Sequence, residues 1–264
     1  MRSGQLCIIC GSHAGTTEHI VPQALWKRFG LDPNSADLAR YRTELCEAHQ
    51  RATSTLHSRR NLLQLVDTGE PVTRKSLTDL ADWAVWVTLL LGLCTGICAL
   101  PVDESRDLLL RRFSGRTAGG LPAGIRVYAA RIDAYVSGTD FVSRQIAIEK
   151  GDHVVLDHSN VPSGFTVRSG PVTATEAIGL GTFALLVVPR TYDSGPRHKE
   201  RLDGVAASVG LDLIHPLPQP IPTLVPKKID MRAVSGIFVP PGWGDDASLL
   251  PIAIQSLMHA RASD

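Results

Sequence analysis

The sequence carries almost no net charge: 27 Lys and Arg against 26 Asp and Glu leave +1 at neutral pH. That balance neither demands nor excludes a nucleic-acid partner, because such binding depends on a local basic face rather than on the total. Cysteine is scarce and odd in number, five in 264 residues. The opening Met1-Arg-Ser-Gly-Gln-Leu-Cys7 has no apolar leader. Together these argue against a disulfide framework and a secretory signal, and they set a reducing cytoplasm as the expected compartment. There is no internal repeat, no long low-complexity tract, no phosphate-binding loop and no nucleophile elbow. What is present is ordinary for a soluble globular chain, 44% hydrophobic and 20% charged. The length suits one large domain or two ordinary ones, with a real core.

Punctuation along the chain divides it in two. A Cys-rich turn opens the sequence, an extended segment runs from Thr16 to Val21, and Pro22 favours extended backbone before it. A short helix is expected over Gln23–Phe29, stopped by Gly30, and a polar irregular stretch follows. From Cys46 to Val66 the pattern turns helical, with Leu56, Leu62, Leu63 and Val66 as candidate core, until Gly69, Glu70 and Pro71 break it. The expected organisation is a small module over 1–75 and a larger region over 76–264.

The larger region opens with a helix over 76–100, for which Ser76 is the expected N-cap with Asp79 three residues on. Trp83 to Leu100 contains no charge and includes a Gly92/Gly96 pair. Its length is near the lower limit for crossing a bilayer, which keeps a membrane anchor open. Acidic residues flank both ends and no Lys or Arg sits beside it, so a central buried helix is the preferred reading and no membrane partner is expected. Cys94 and Cys98 read as small buried hydrophobes. A second, amphipathic helix is expected over Asp103–Phe113. Segments beginning at Ile125, Gln145, His153, Phe165 and Ala184 then read as strands of a mostly antiparallel sheet. The basic run Arg197-His-Lys-Glu-Arg201 reads as a solvated loop. His153, Asp157 and His158 read as structural, a Pro-rich stretch covers His215–Pro226, and a last helix is expected over Ala247–Ala260. The fold class is therefore α+β.

The chemistry concentrates in the first sixty residues. Cys7-Ile-Ile-Cys10 places two thiols where one tight turn can grip an ion, and Cys46-Glu-Ala-His49 repeats that spacing with histidine last. Together they make Cys3His, a common closed tetrahedral zinc set. The 35 residues between the two pairs exceed the spacing of a simple finger, so the intervening chain must hold structure of its own.

That chain contains Glu18-His19-Ile20-Val21-Pro22. A knuckle, then acid–His–Ile–hydrophobic–Pro, then a second knuckle opening a helix resembles the HNH, or ββα-metal, endonuclease family in its zinc-containing branch. The resemblance covers about residues 5 to 60. It implies a hairpin carrying Glu18 and His19, a helix from near Cys46 packed across it, and a structural zinc on Cys7, Cys10, Cys46 and His49 that supplies much of the folding free energy. It further implies a bacterial or phage type of phosphodiester hydrolase acting on nucleic acid, double-stranded DNA being the expected target. His19 would be the general base, a neutral imidazole taking a proton from water. Glu18 would hold a divalent ion, Mg2+ or Mn2+, with Ni2+ or Zn2+ open if imidazole also ligates.

The sequence departs from the family where a second ligand is expected. Gln50, not Asn or His, follows the second knuckle, and Tyr41-Arg42-Thr43-Glu44 stands where a middle Asn is expected. His57, two turns beyond Gln50 on roughly the same helix face, is the alternative ligand. His49 could itself serve the catalytic ion, although its spacing favours zinc. Successive strand residues point to opposite faces, so Glu18 and His19 need local bending to share one site. Lys27, Arg28, Arg51, Arg59 and Arg60 are candidate phosphate contacts, and His13 reads as a surface residue. The alternative function is a non-catalytic descendant whose zinc module binds DNA or a protein. A homo-oligomer is open.

Overall fold

The computed structural model describes residues 5–28, 32, 34, 42–57, 71–95, 100–113, 120–122, 124–132, 146–147, 154–155, 165–169, 176–180, 183–188 and 196–227. It is an α+β fold. Strand β1 (Thr16–His19) pairs antiparallel with β2 (Arg42–Leu45), helix α1 (Gln23–Arg28) lies in the connection between them, and α2 (Glu47–His57) follows directly. The expected strand–strand–helix unit is thus present, with its hairpin opened by a long connection. The expected continuation of α2 to Val66 lies outside the described residues.

Helix α3 (Arg74–Thr95) is the centre of the molecule. Every residue from Leu80 to Gly92 is buried, so the uncharged run is explained by protein on all sides. The helix is long and apolar enough to cross a membrane by length and composition, yet 83% of its apolar window is buried within the fold. Ser76 is not the N-cap. The helix starts two residues earlier, and Thr73 caps it. Thr73 Oγ1 accepts from the Ser76 amide at 3.1 Å, while Ser76 Oγ accepts from the Thr73 amide at 2.7 Å. This reciprocal pair satisfies two backbone donors that the first turn would otherwise leave open. Ser76 is the third helical residue, and its hydroxyl mimics the usual Glu or Gln.

Helix α4 (Val102–Phe113) packs against α3 and buries Ser105, Leu109 and Phe113. Phe113 meets Trp86 edge to face, with centroids 5.1 Å apart. Arg112 pairs with Asp82, whose side chain is 2% exposed, so the charge buried in α3 is neutralised from α4.

The main sheet covers the other side of α3. Its spine is β3 (Arg126–Ile132), antiparallel to β8 (Phe183–Val188), which continues through β7 (Glu176–Leu180) to β6 (Phe165–Ser169). The opposite edge of β3 is shared by β9 (Asp212–His215), antiparallel, and β10 (Pro226–Lys227), parallel. A separate small pair joins β4 (Ile146–Ala147) and β5 (Val154–Val155). The predicted strands are present and the sheet is mostly antiparallel, as expected. Val127, Ala129, Phe183, Leu185 and Val187 belong to the same core as α3. The alternate residues are buried too, because α5 (Pro196–Ser208) shields that side. There Arg126 and Tyr128 of β3 bind Asp203 of α5, the Tyr128 hydroxyl donating at 2.8 Å.

Helix α5 corrects the expected solvated loop at Arg197–Arg201. Pro196 suits a first helical position, and Leu202 and Ala206, four residues apart, bury one face. His153, Asp157, His158, Cys98 and the expected terminal helix lie outside the described residues.

Candidate metal centre

The first half of the centre is a tight turn built by backbone. The Cys7 amide donates to Ser12 O at 2.7 Å and the Gly11 amide to Cys7 O at 2.8 Å. Gly11 closes the turn at φ +73°, a conformation that side chains disfavour. The turn is stitched to β2, with the Ile8 amide donating to Glu44 O at 3.1 Å and the Gly15 amide to Leu45 O at 3.1 Å. From the opposite side, Arg106 of α4 donates from Nε to Ile8 O at 3.1 Å. The second half comes from the β2–α2 junction: Cys46 precedes the helix and His49 sits in its first turn, three residues on and therefore on the same side.

The four expected zinc ligands converge. The donor atoms of Cys7, Cys10, Cys46 and His49 all lie within 4.8 Å of one another. His49 Nδ1 is 3.4 Å from Cys7 Sγ and 3.2 Å from Cys46 Sγ, and Cys10 Sγ is 3.9 Å from Cys46 Sγ. With Zn–S near 2.3 Å and Zn–N near 2.0–2.1 Å, a tetrahedron has S···S edges of about 3.8 Å and S···N edges of about 3.6 Å. The donor set and its spacing therefore fit zinc.

The surroundings suit the charge such a site carries. Burial pushes the Cys7 thiol up, and backbone amides of Cys46, Cys10 and Ile9 directed at its sulfur pull against that. At Cys10 burial also pushes up, but hydrogen bonds with Ser12, Cys7 and Cys46 together outweigh it and the thiol ends below its usual value. Burial pushes His49 down, which keeps its ring neutral as a ligand requires. Gly11, Ser12 and Arg106 were not singled out from the sequence. Gly directly after Cys-x-x-Cys was a readable signal for the turn; nothing local pointed to Arg106.

The remaining candidates are less closely grouped. Across the β1–β2 register Glu18 faces Thr43 and Thr16 faces Leu45, while His19 faces Arg42 and Thr17 faces Glu44. Thr43 and Leu45 are buried, so Glu18 lies on the face turned to the interior. His19 shares the other face, where Thr17 donates to Glu44 at 2.9 Å. Its Nδ1 lies 3.1 Å from Gln23 Nε2, a partner not expected from the sequence. Gln50 is in the first turn of α2, half-buried, its amide donating to Cys46 O at 2.9 Å. His57 ends α2, and its side chain is outside the described residues. Among the described residues no second group of three His, Cys, Asp or Glu donors forms.

Of the candidate phosphate contacts, Lys27 is exposed on α1 and Arg51 is exposed on α2, ion-paired with Glu47 one turn before it. Arg28 ends α1 with its side chain outside the described residues, where Arg59 and Arg60 also lie. His13 is exposed, as expected. No family model, no curated protein and no solved structure matches the chain.

Proposed function

We propose that residues 5–60 are a metal-dependent endonuclease module of the HNH type, hydrolysing phosphodiester bonds in nucleic acid, with double-stranded DNA as the substrate. One observation carries the reading: Glu18-His19-Ile20-Val21-Pro22 ends strand β1 between the two halves of the Cys3His centre, and α2 starts at the second half. A bare zinc knuckle has no need of that insertion. His19 accepts the proton of the attacking water. Glu18 holds a divalent ion, Mg2+ or Mn2+, with Gln50 or His57 as the second protein ligand; when bound, that ion supplies charge stabilisation at the phosphate. Lys27, Arg28, Arg51, Arg59 and Arg60 neutralise phosphates along the duplex. The strand ends at His19 and the chain bends at Ile20, which is where the turn that brings both side chains to one phosphate would arise.

The test is nicking of supercoiled plasmid by the full chain with magnesium or manganese, with zinc content measured alongside. His19→Ala is expected to lower the rate by about 10²–10⁴-fold at unchanged zinc. A second reading, a zinc module that binds DNA or a protein without cutting, is favoured by Gln50 at the ligand position and by the opposite facing of Glu18 and His19. Retained zinc with no cutting by either protein would select it.

A further inference from the structure

The four ligands of the metal centre are not equally protected. Cys7 also lies beside the Cys10 sulfur, but it is 1% exposed, and its sulfur is engaged by the backbone amides of Cys46, Cys10 and Ile9 and by the His49 ring at 3.4 Å. Cys10 is exposed at the tip of the turn, and Cys46 is half-exposed beside it with its sulfur 3.9 Å away. Cys94, on α3, is not part of the cluster. One sulfur is thus open to solvent, a second stands within a small displacement of it, and the third is buried and hydrogen-bonded.

The geometry points to Cys10 and Cys46 as a peroxide-sensitive pair whose oxidation to a disulfide ejects the zinc and opens the centre. The inference rests on the Cys3His site holding zinc and not on the nuclease reading. Hydrogen peroxide meets the Cys10 sulfur; the O–O bond breaks, hydroxide leaves and Cys10 becomes a sulfenic acid. The Cys46 sulfur attacks that sulfur, the S–S bond forms and the S–O bond breaks with loss of the hydroxyl as water. Overall two thiolates lose two electrons, while peroxide and two protons become two waters. The ion keeps Cys7 and His49 alone, half of a closed tetrahedral set, and departs. Cys7 is spared because its sulfur is buried and tied to the turn.

The experiment titrates the zinc-loaded full chain with hydrogen peroxide and follows zinc release with a chromogenic chelator. Differential alkylation and peptide mass spectrometry then assign the thiols. The expected result is zinc loss in step with a Cys10–Cys46 crosslink, Cys7 remaining alkylatable after denaturation, and recovery of zinc binding on reduction. A crosslink through Cys7, oxidation of single cysteines without a crosslink, zinc held at peroxide levels that oxidise the chelated protein, or a chain purified without zinc would each overturn it. Because Cys10→Ser could fail to load zinc, the assignment is made on wild-type protein. None of these readouts involves cleavage, so they stand apart from the outcome of the nicking assay.

Discussion

Residues 5–57 bury Ile9, Ile20, Val21, Leu45 and Leu56 beside the metal ligand Cys7, a small apolar complement for two short strands and a helix. Helix α3 alone buries Leu77, Leu80, Trp83, Val85, Trp86, Val87, Leu89 and Leu90, each fully buried side chain of this kind contributing about 1.5–3 kcal/mol. The first region adds to its few apolar side chains a donor set able to hold an ion; the second closes on apolar side chains alone. Yet the two are not separate, because α2 packs on α3 and α4, and Arg106 holds the knuckle. The lesson is that a metal-capable donor set stands where core volume is small and borrows a wall from a neighbour.

The largest expected effect on that contrast comes from removing zinc. Structural zinc contributes about 10–16 kcal/mol in finger peptides, so a strong chelator should erase hydrogen-exchange protection at β1, β2 and α2 while β3 and β8 keep theirs. Equal loss in both regions would show that they fold as one unit. Next is Trp86→Ala, which empties the contact with Phe113 and is expected to cost about 3–5 kcal/mol, read as a lower denaturation midpoint of the sheet with zinc content unchanged. Thr73→Ala removes one half of the reciprocal cap and should cost about 1 kcal/mol, seen first as faster exchange in the opening turn of α3. The smallest effect is a pH slope. His215, whose Nε2 lies 3.2 Å from Pro122 O, is held below the ordinary imidazole value by burial. Its contribution is fully present above about pH 6.5 and is lost as pH falls through the folded value, because the unfolded chain takes the proton first. His215→Gln keeps a donor for Pro122 and should flatten the acid limb of a stability-versus-pH curve. An unchanged limb would remove His215 as the cause.

The Cys3His donor set was legible because Cys-x-x-Cys and Cys-x-x-His are local constraints: the spacing alone decides whether one turn can present both donors. The uncharged run of α3 was legible as a buried helix because acidic residues flank it and no Lys or Arg sits beside it, which disfavours the bilayer that would tolerate the same run. Position within α3 was harder. Ser76 and Thr73 are both good capping residues, and only the tertiary entry of the chain selects Thr73. Helix α5 was hidden because its sequence is mostly polar; Leu202 and Ala206 are a narrow apolar stripe, and its anchor, Asp203 on Arg126 and Tyr128, joins residues far apart in sequence. Strand β7, Glu176-Ala-Ile-Gly-Leu180, has weak intrinsic preference and exists because β6 and β8 flank it. Glu18 and His19 were found as a pair by motif, and strand alternation already sets them on opposite faces; which of the two turns inward follows from the register with β2, which residues twenty-odd positions away determine.

The central place of α3 also sets an order of events during synthesis. Its partners β8 and β9 are made roughly ninety or more residues after it, and at ~5–20 residues per second that is a wait of about 5–20 s. During that interval an eighteen-residue uncharged segment has left the ribosome with only α2, α4 and β3 as its available cover. A nascent chain stalled before residue 183 should therefore be a strong client for holdase chaperones, and one released after residue 215 should not.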